Sequence, residues 1–475
     1  MPESLRIAIA QTNPRMADPE ANAGRLRGLR AQAAMQGADL LLTPELSLSG
    51  AVPAELAVHP GFAAACEAAL ASLAAETADG GPALILGTPW RDGPRLHDSI
   101  ALLEGGTIRA RRAAHEPRPG YDPGPVPGPI AFRETRLGLM TGRDWRHPAT
   151  PETLAETGAE LLIALDSLPA GPEADETRLQ TALARVVEND LPLILLNRLG
   201  AEEEEAHDGA ALILNADRAP ALRLPPFAEG LTLTEWRHDG TRWYCVPQPS
   251  PPPMPAPEQL WRAILLALRD HADRHEAAAF LIPLSLSSSP ESALAALLAA
   301  DAFGPARLRA LLAEPEGEGA APDFAHRLGI PFETLDLAPA LAALPWAAAA
   351  QLHQLALDSL AETTGALPIV TVPSACPTAF APLKYLSGPE RRALAVWRNA
   401  NHPSGLLGPG NPALPLPPVD SPAATGHDPA PPRRLWQSLA LADYKRRQAP
   451  PGVKPGPRAP GHDRRHTNPD GPKAP

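Results

Sequence analysis

The chain has 475 residues, and its 54 acidic against 42 basic side chains give a net charge of −12, which argues against nucleic-acid binding. Three widely spaced cysteines, Cys66, Cys245 and Cys376, supply neither a disulfide framework nor a metal motif. No apolar run approaches the roughly 18 residues of a membrane span and the first residues lack an apolar signal core, so a soluble cytoplasmic protein of two or more domains is expected.

Leu5 to Gln11 reads as a buried strand and Asn22 to Gln36 as a helix. A second apolar run from Leu40 stops at Pro44, which cannot donate to a ladder, and Glu45 follows at once. A group just past the carboxyl end of such a strand sits where ligands bind in open α/β sheets, which makes Glu45 a candidate general base; the alternative is a solvated loop acid. A helix from Phe62 to Glu76, a strand from Ala83 to Thr88, and short strands around Ile100 and Ile108 follow. Next come a strand at Arg136 to Met140, a helix at Glu152 to Thr157, a strand at Leu161 to Leu165 and a helix at Asp175 to Glu188. Strands near Leu193 to Asn197 and Ala211 to Asn215 close this half. Alternating strands and helices mean an α/β fold.

The phrases Arg6-Ile7-Ala8-Ile9-Ala10-Gln11, Gly37-Ala38-Asp39, Pro44-Glu45-Leu46 and Gly87-Thr88-Pro89-Trp90 come in a telling order. Ala184-Arg185-Val186-Val187-Glu188, Asp208-Gly209 and Asn215-Ala216-Asp217-Arg218 continue it. This order resembles the nitrilase-like (carbon–nitrogen hydrolase) superfamily, and more closely the amidase half of bacterial glutamine-dependent NAD(+) synthetases. The resemblance implies a thiolate that attacks the glutamine amide, a glutamate that handles the proton and a lysine ammonium that stabilises the tetrahedral intermediate. Glu45 fits the glutamate. The lysine position falls on His115, counted back from Tyr121, and the cysteine position on Gly142, in Thr141-Gly142-Arg143-Asp144. No cysteine lies between Cys66 and Cys245, and no lysine precedes Lys384. Cys66 reads as a buried helix residue, Cys245 as part of a late strand, and Thr141 has no evident base to activate it. Tyr121 and Ser167 match glutamine-binding positions, although Tyr121 also reads as a packing residue and Ser167 as a loop serine. Glu173 stands where the resemblance implies a lysine.

Pro247 to Pro257 is a polyproline-prone linker. Beyond it a helix spans Glu258 to His275, a strand Ala278 to Leu284, and a helix begins at Ala293. Strand, loop, helix is the layout of an anion-binding turn. The resemblance implies a glycine-rich loop there that cradles ATP; this chain reads Ser287-Ser288-Ser289-Pro290-Glu291-Ser292. Serines replace the glycines that allow close backbone approach, and Pro290 removes a donor. A strand around Leu308, a helix from Ala348 to Glu362 and a strand from Pro368 to Val372 follow. Cys376, after that strand, has no partner legible in sequence and reads as a structural thiol. Ala395-Val396-Trp397-Arg398-Asn399 resembles a family helix, and Leu439 to Lys454 the family tail, in which Lys445 falls on a dinucleotide-binding position.

The expected fold is a nitrilase-like α-β-β-α sandwich (1–248), a linker (249–257), a reduced doubly wound parallel α/β domain like that of ATP pyrophosphatases (258–400) and a proline-rich irregular tail (401–475). The resemblance implies glutamine, nicotinic acid adenine dinucleotide and ATP with Mg2+ as substrates and cofactors, and a homo-oligomer or association with an intact paralogue. The substitutions imply a catalytically impaired homologue. The alternatives are a pseudoenzyme that scaffolds or regulates an intact synthetase, and a decaying gene product.

Overall fold

The computed structural model describes residues 4–171, 173–202, 204–285, 291–313, 320–335, 349–371, 376, 378–415 and 452–453. Two compact units divide the chain. One comprises Met1–Gly200 and His207–Met254, the other Ala201–Ala206 and Pro255–Pro475. Among the described residues, no helix is long and apolar enough to cross a membrane.

The first unit opens with β1 (Ser4–Gln11), α1 (Pro19–Met35), β2 (Leu40–Leu42), the short α2 (Ala54–Ala57), α3 (Pro60–Glu76), β3 (Ala83–Asp92), β4 (Arg95–Glu104) and β5 (Thr107–Ala113). It continues through β6 (Ile130–Phe132), β7 (Thr135–Thr141), α4 (Ala149–Glu156), β8 (Leu161–Asp166), α5 (Ala174–Asn189) and β9 (Leu193–Asn197). The last strands are β10 (Leu199–Glu202), β11 (Glu205–Asp208), β12 (Leu212–Leu214), β13 (Pro220–Arg223), β14 (Gly230–His238) and β15 (Trp243–Cys245). They form a seven-stranded sheet in the order β15-β14-β1-β2-β3-β4-β5, a six-stranded sheet in the order β13-β12-β9-β8-β7-β6 and a two-stranded ribbon of β10 and β11, whose residues Ala201–Ala206 are grouped with the second unit.

Side-chain alternation explains why the sheets stack. On β1, Ile7 and Ile9 join Leu139, Ile163 and Ile194 of the other sheet in one buried cluster. Ala8 and Ala10 face the opposite way, under Leu26 of α1 and Leu70 and Leu73 of α3. On the far side, Leu162 and Leu195 lie under Leu154 of α4 and Val186 of α5. Helix, sheet, sheet, helix is the expected sandwich. Helix α1 starts earlier than Asn22 because Asp18 caps it and Pro19 fits its first turn. Asn22 itself is buried and holds the backbone of Arg15 and Leu48. Between Asn215 and the late strand of Cys245 the sequence reading assigns no strand. Strand β14 returns to pair antiparallel along the whole of β1, from Ser4–Arg237 to Gln11–Gly230, and β15 pairs with it.

The second unit holds α6 (Ala256–Arg274), β16 (Phe280–Pro283), α7 (Glu291–Phe303), β17 (Leu308–Ala313), α8 (Ala320–Leu328), β18 (Phe332–Leu335), α9 (Ala349–Thr364), β19 (Leu367–Pro368) and α10 (Gly388–Ala400). The sheet order is β18-β17-β16-β19, parallel throughout. Strand order reverses beside β16, so the segment after β16 lies at a topological switch point. The strand expected over Pro368–Val372 is shorter. Only Leu367 and Pro368 belong to it: the Ile369 amide still donates to Leu281 O, but the Val370 amide turns to Phe380 O, and Val372 lies outside the described residues.

A buried ion pair ties this unit together. Arg398 of α10 donates from Nε to Asp301 Oδ2 (2.8 Å) and from Nη2 to Asp301 Oδ1 (3.0 Å), and both residues are 0% exposed. Trp261 of α6 donates to the same carboxylate at 3.0 Å, and the guanidinium also reaches the carbonyls of Asn401 and Pro409. Removing one partner strands the other charge in a low-dielectric interior. Arg398→Ala should therefore lower the stability of this unit by about 3–5 kcal/mol in urea unfolding. A loss below about 1 kcal/mol would show that the pair is dispensable.

Candidate functional site

Strand β2 ends at Leu42, and the chain folds back over β3 immediately. The Thr43 amide donates to Ile85 O at 3.0 Å, and the Thr43 and Ser47 hydroxyls share a hydrogen bond of 2.8 Å. The amide of Gly87 donates to Pro44 O, and that of Leu48 to Gly87 O. A Cβ at Gly87 would lie 2.3 Å from Leu46 N and 2.7 Å from Glu45 Cα. Only glycine lets this loop lie flat on β3. The fold carries Glu45 inward, and at 2% exposure it is not a solvated loop acid.

Across from it, β7 ends at Thr141 and Gly142 follows with φ +59°, its amide donating to Leu165 O at 3.0 Å. The nearest atoms to a Cβ at Gly142 would be Asp98 Oδ2 (3.5 Å), Glu116 O (3.7 Å) and Glu45 Oε1 (3.7 Å). The structure therefore brings Glu45 and Gly142 together. It adds Asp98, from the middle of β4, which is wholly buried and hydrogen-bonded to the Glu45 carboxyl.

Two buried carboxyls at this separation do not both ionise. Burial, and then the charge of Glu45, push Asp98 well above the usual carboxylate range. Burial also works to raise Glu45, but the Asp98 proton, Arg118, Ser167 and Arg198 outweigh it and hold Glu45 below its ordinary value. The pair thus carries one proton on Asp98, turned toward the Glu45 carboxylate. Asp144, two residues past Gly142, is raised to about 6 by burial, against the amides of Glu116, Thr141 and His115. Its Oδ1 accepts from Glu116 N at 2.7 Å.

His115 is half-buried, and its Nδ1 donates to Gly124 O at 3.0 Å. The Ser167 hydroxyl favours the Glu45 charge by a side-chain hydrogen bond. Its amide is held by Asp166, which also takes Trp145 Nε1 (2.5 Å) and both Arg146 donors. Tyr121 packs with Val52, Ala57 and Leu96 in a small apolar cluster. Thr141 Oγ1 is buried with no hydrogen-bond partner, so no base activates it. Cys66 is pushed up to about 12 by burial and the neighbouring Glu67 charge, and Cys245 to about 12 by burial. Both are structural thiols. Cys376 is buried, 3.2 Å from the Thr378 hydroxyl.

Asp98, Arg118, Asp144 and Arg198 were not singled out from the sequence. Asp98 alone left a signal, as an acid close before the apolar run from Ile100 to Leu103.

In the second unit, Ser287, Ser288, Ser289 and Pro290 lie outside the described residues, as does Lys445. Glu291 opens α7 with its carboxylate 3.6 Å from Arg391 Nη1. The Ser292 hydroxyl donates to Ser285 O (2.8 Å) and accepts from Ser285 N (3.0 Å).

The carbon–nitrogen hydrolase family profile matches residues 6–244, half of the chain, and the chain belongs to that family. Over its whole length it resembles glutamine-dependent NAD(+) synthetases. It is 29% identical to that of Rhodobacter capsulatus, over 98% of this chain and 98% of the relative. The enzyme of Xanthomonas campestris pv. campestris (strain 8004) is 26% identical over 98% of this chain and 97% of its own. Among solved structures, the glutamine-dependent NAD+ synthetase of Acinetobacter baumannii in complex with ADP aligns with a TM-score of 0.75 at 19% identity, covering 92% of this chain and 88% of that one. The synthetase of Cytophaga hutchinsonii aligns with a TM-score of 0.71 at 15% identity, covering 95% of each. At those identities the structures speak for the fold alone.

The Glu45 loop depends on the missing Cβ of Gly87. Gly87→Ala should cost about 1–3 kcal/mol, because backbone rather than a side-chain tip must move. Gly24→Ala, on α1 with nothing within 4 Å of the added carbon, should be neutral or stabilising. Equal unfolding midpoints for the two variants would contradict this account of the loop.

Proposed function

We propose that this chain is a glutamine-dependent NAD(+) synthetase homologue that does not hydrolyse glutamine and acts as a pseudoenzyme, assembling with copies of itself or with an intact synthetase paralogue. The observation that carries this reading is the glycine at position 142, beside Glu45 where the family resemblance implies the thiol. Amide transfer by this family needs a covalent acyl intermediate. Glu45 is buried and ionised, fit to take a proton, but no nucleophile stands next to it. His115 turns its ring to the Gly124 carbonyl and supplies no permanent ammonium for an oxyanion.

The same reading extends to the second unit. Glu291 faces Arg391 and the Ser292 hydroxyl bonds to Ser285. Serines in place of glycines and Pro290, which lacks an amide donor, fit poorly the ATP and Mg2+ site that the resemblance implies, and no step is assigned to that pair. The fully satisfied Asp301–Arg398 network favours a maintained fold over a decaying one.

Glutamine incubated with the purified chain should release no ammonia above buffer. In Gly142→Cys, the introduced thiol should be alkylated by iodoacetamide in the native protein while Cys66 and Cys245 are spared, as peptide mass spectrometry would show. Sustained ammonia release by the wild type, abolished in Glu45→Gln, would overturn the proposal.

A further inference from the structure

In the proline-rich tail, Gly452 and Val453 are both buried. Gly452 lies directly on the turn that follows Phe380. A Cβ at Gly452 would stand 2.3 Å from Ala381 O and 3.0 Å from Lys384 Cβ. The Ala381 oxygen also accepts from the Lys384 amide at 3.2 Å, so the obstacle is turn backbone rather than the tip of a side chain. Glycine is the residue that allows so close an approach. Next to it Val453 is 3% exposed, an apolar side chain taken out of water. Close backbone approach beside a buried apolar anchor is the mark of a seated peptide segment.

The turn beneath grips a second segment. Leu383, Tyr385 and Leu386 are buried, and Arg391 of α10 donates to Leu383 O at 3.3 Å. Lys384 Nζ lies 4.7 Å from the centroid of the Tyr385 ring and 3.6 Å from Glu204 Oε1. The Tyr385 hydroxyl donates to the same Glu204 oxygen. Glu204 sits between β10 and β11, at the tip of their ribbon. Ala201, in that ribbon, donates to Asp270 Oδ2 (2.6 Å) and accepts from Arg274 Nη1 (2.8 Å), both of α6.

We infer that the turn Ala381–Leu386 is a receptor for the chain's own C-terminal segment, anchored by Gly452 and Val453, and that the seated segment braces the grip of Lys384 and Tyr385 on Glu204. Lys384 is the shared part, since its Cβ packs under Gly452 and its ammonium meets Glu204. Holding the Lys384 stem in place removes rotamer freedom that the Glu204 contact must otherwise overcome. Pro450, Pro451 and Pro455 restrict the chain on both sides of the anchor, so less freedom is lost on docking. None of this uses Glu45 or Gly142, and it stands apart from the loss of glutamine hydrolysis.

Hydrogen exchange read by mass spectrometry tests the brace on the full chain, on a chain ending at Gln448 and on full-length Gly452→Ala. Exchange over residues 380–386 and 201–206 should be about tenfold faster or more in both altered chains, with α7 and β17 as slow as before. A synthetic peptide of residues 446–458, supplied at about millimolar concentration to match a tethered segment, should restore slow exchange to the shortened chain. The same peptide carrying Gly452→Ala should not. Unchanged exchange at 380–386 in the shortened chain, faster exchange spread equally through α7 and β17, or rescue by the altered peptide would each overturn the inference. So would exchange at the turn that slows as the full chain is concentrated, because the segment would then come from a second copy.

Discussion

The first unit depends on two sheets stacked so that the ends of β2 and β7 meet. Leucine and isoleucine side chains from both inner faces make that stack, and burial of this kind is the main force holding such a layer together. Its consequence is chemical. Glu45 leaves one sheet and Gly142 the other, and the carboxylate comes within 3.7 Å of where a side-chain carbon at 142 would begin. The fold delivers a carboxylate and a turn in register, whatever residue stands at the turn.

What the turn carries decides the rest. With glycine there, the turn lies beside a carboxyl pair, a third acid and two arginines. The cluster holds itself in order by keeping one proton on Asp98, since burial and the Glu45 charge both favour the neutral acid. The second unit solves the same problem differently. There Asp301 meets Arg398 in bidentate geometry, and the remaining donors of the guanidinium go to carbonyls. There the carboxylate is held by a guanidinium; in the first unit Asp98 shares its proton with Glu45.

Much of this was legible in the sequence because it depends on local signals. Pro44 ends β2, and Glu45 follows, so its position at a strand end could be read directly. Gly142 could be placed because β7 precedes it. Burial of Glu45 could not be read, since it arises from Gly87 on another strand. Asp98, Arg118 and Arg198 converge through sheet pairing between segments far apart in the chain, which no local pattern reports. The pairing of β14 with β1 spans most of the unit's length, and β14 was therefore not read as a strand. The Asp301–Arg398 pair is separated by 97 positions and was invisible for the same reason. Tyr121 read two ways, and its neighbours Val52, Ala57 and Leu96 give it a packing role.

The central claim is that the chain keeps the synthetase fold without its chemistry. The most direct measurement supplies the full chain with nicotinic acid adenine dinucleotide, ATP and Mg2+, with glutamine in one arm and ammonium chloride in the other, and follows NAD(+) formation. The account predicts none above background in either arm. NAD(+) formed from ammonium would show that the second unit is a working synthetase, and NAD(+) formed from glutamine would contradict the account in both halves.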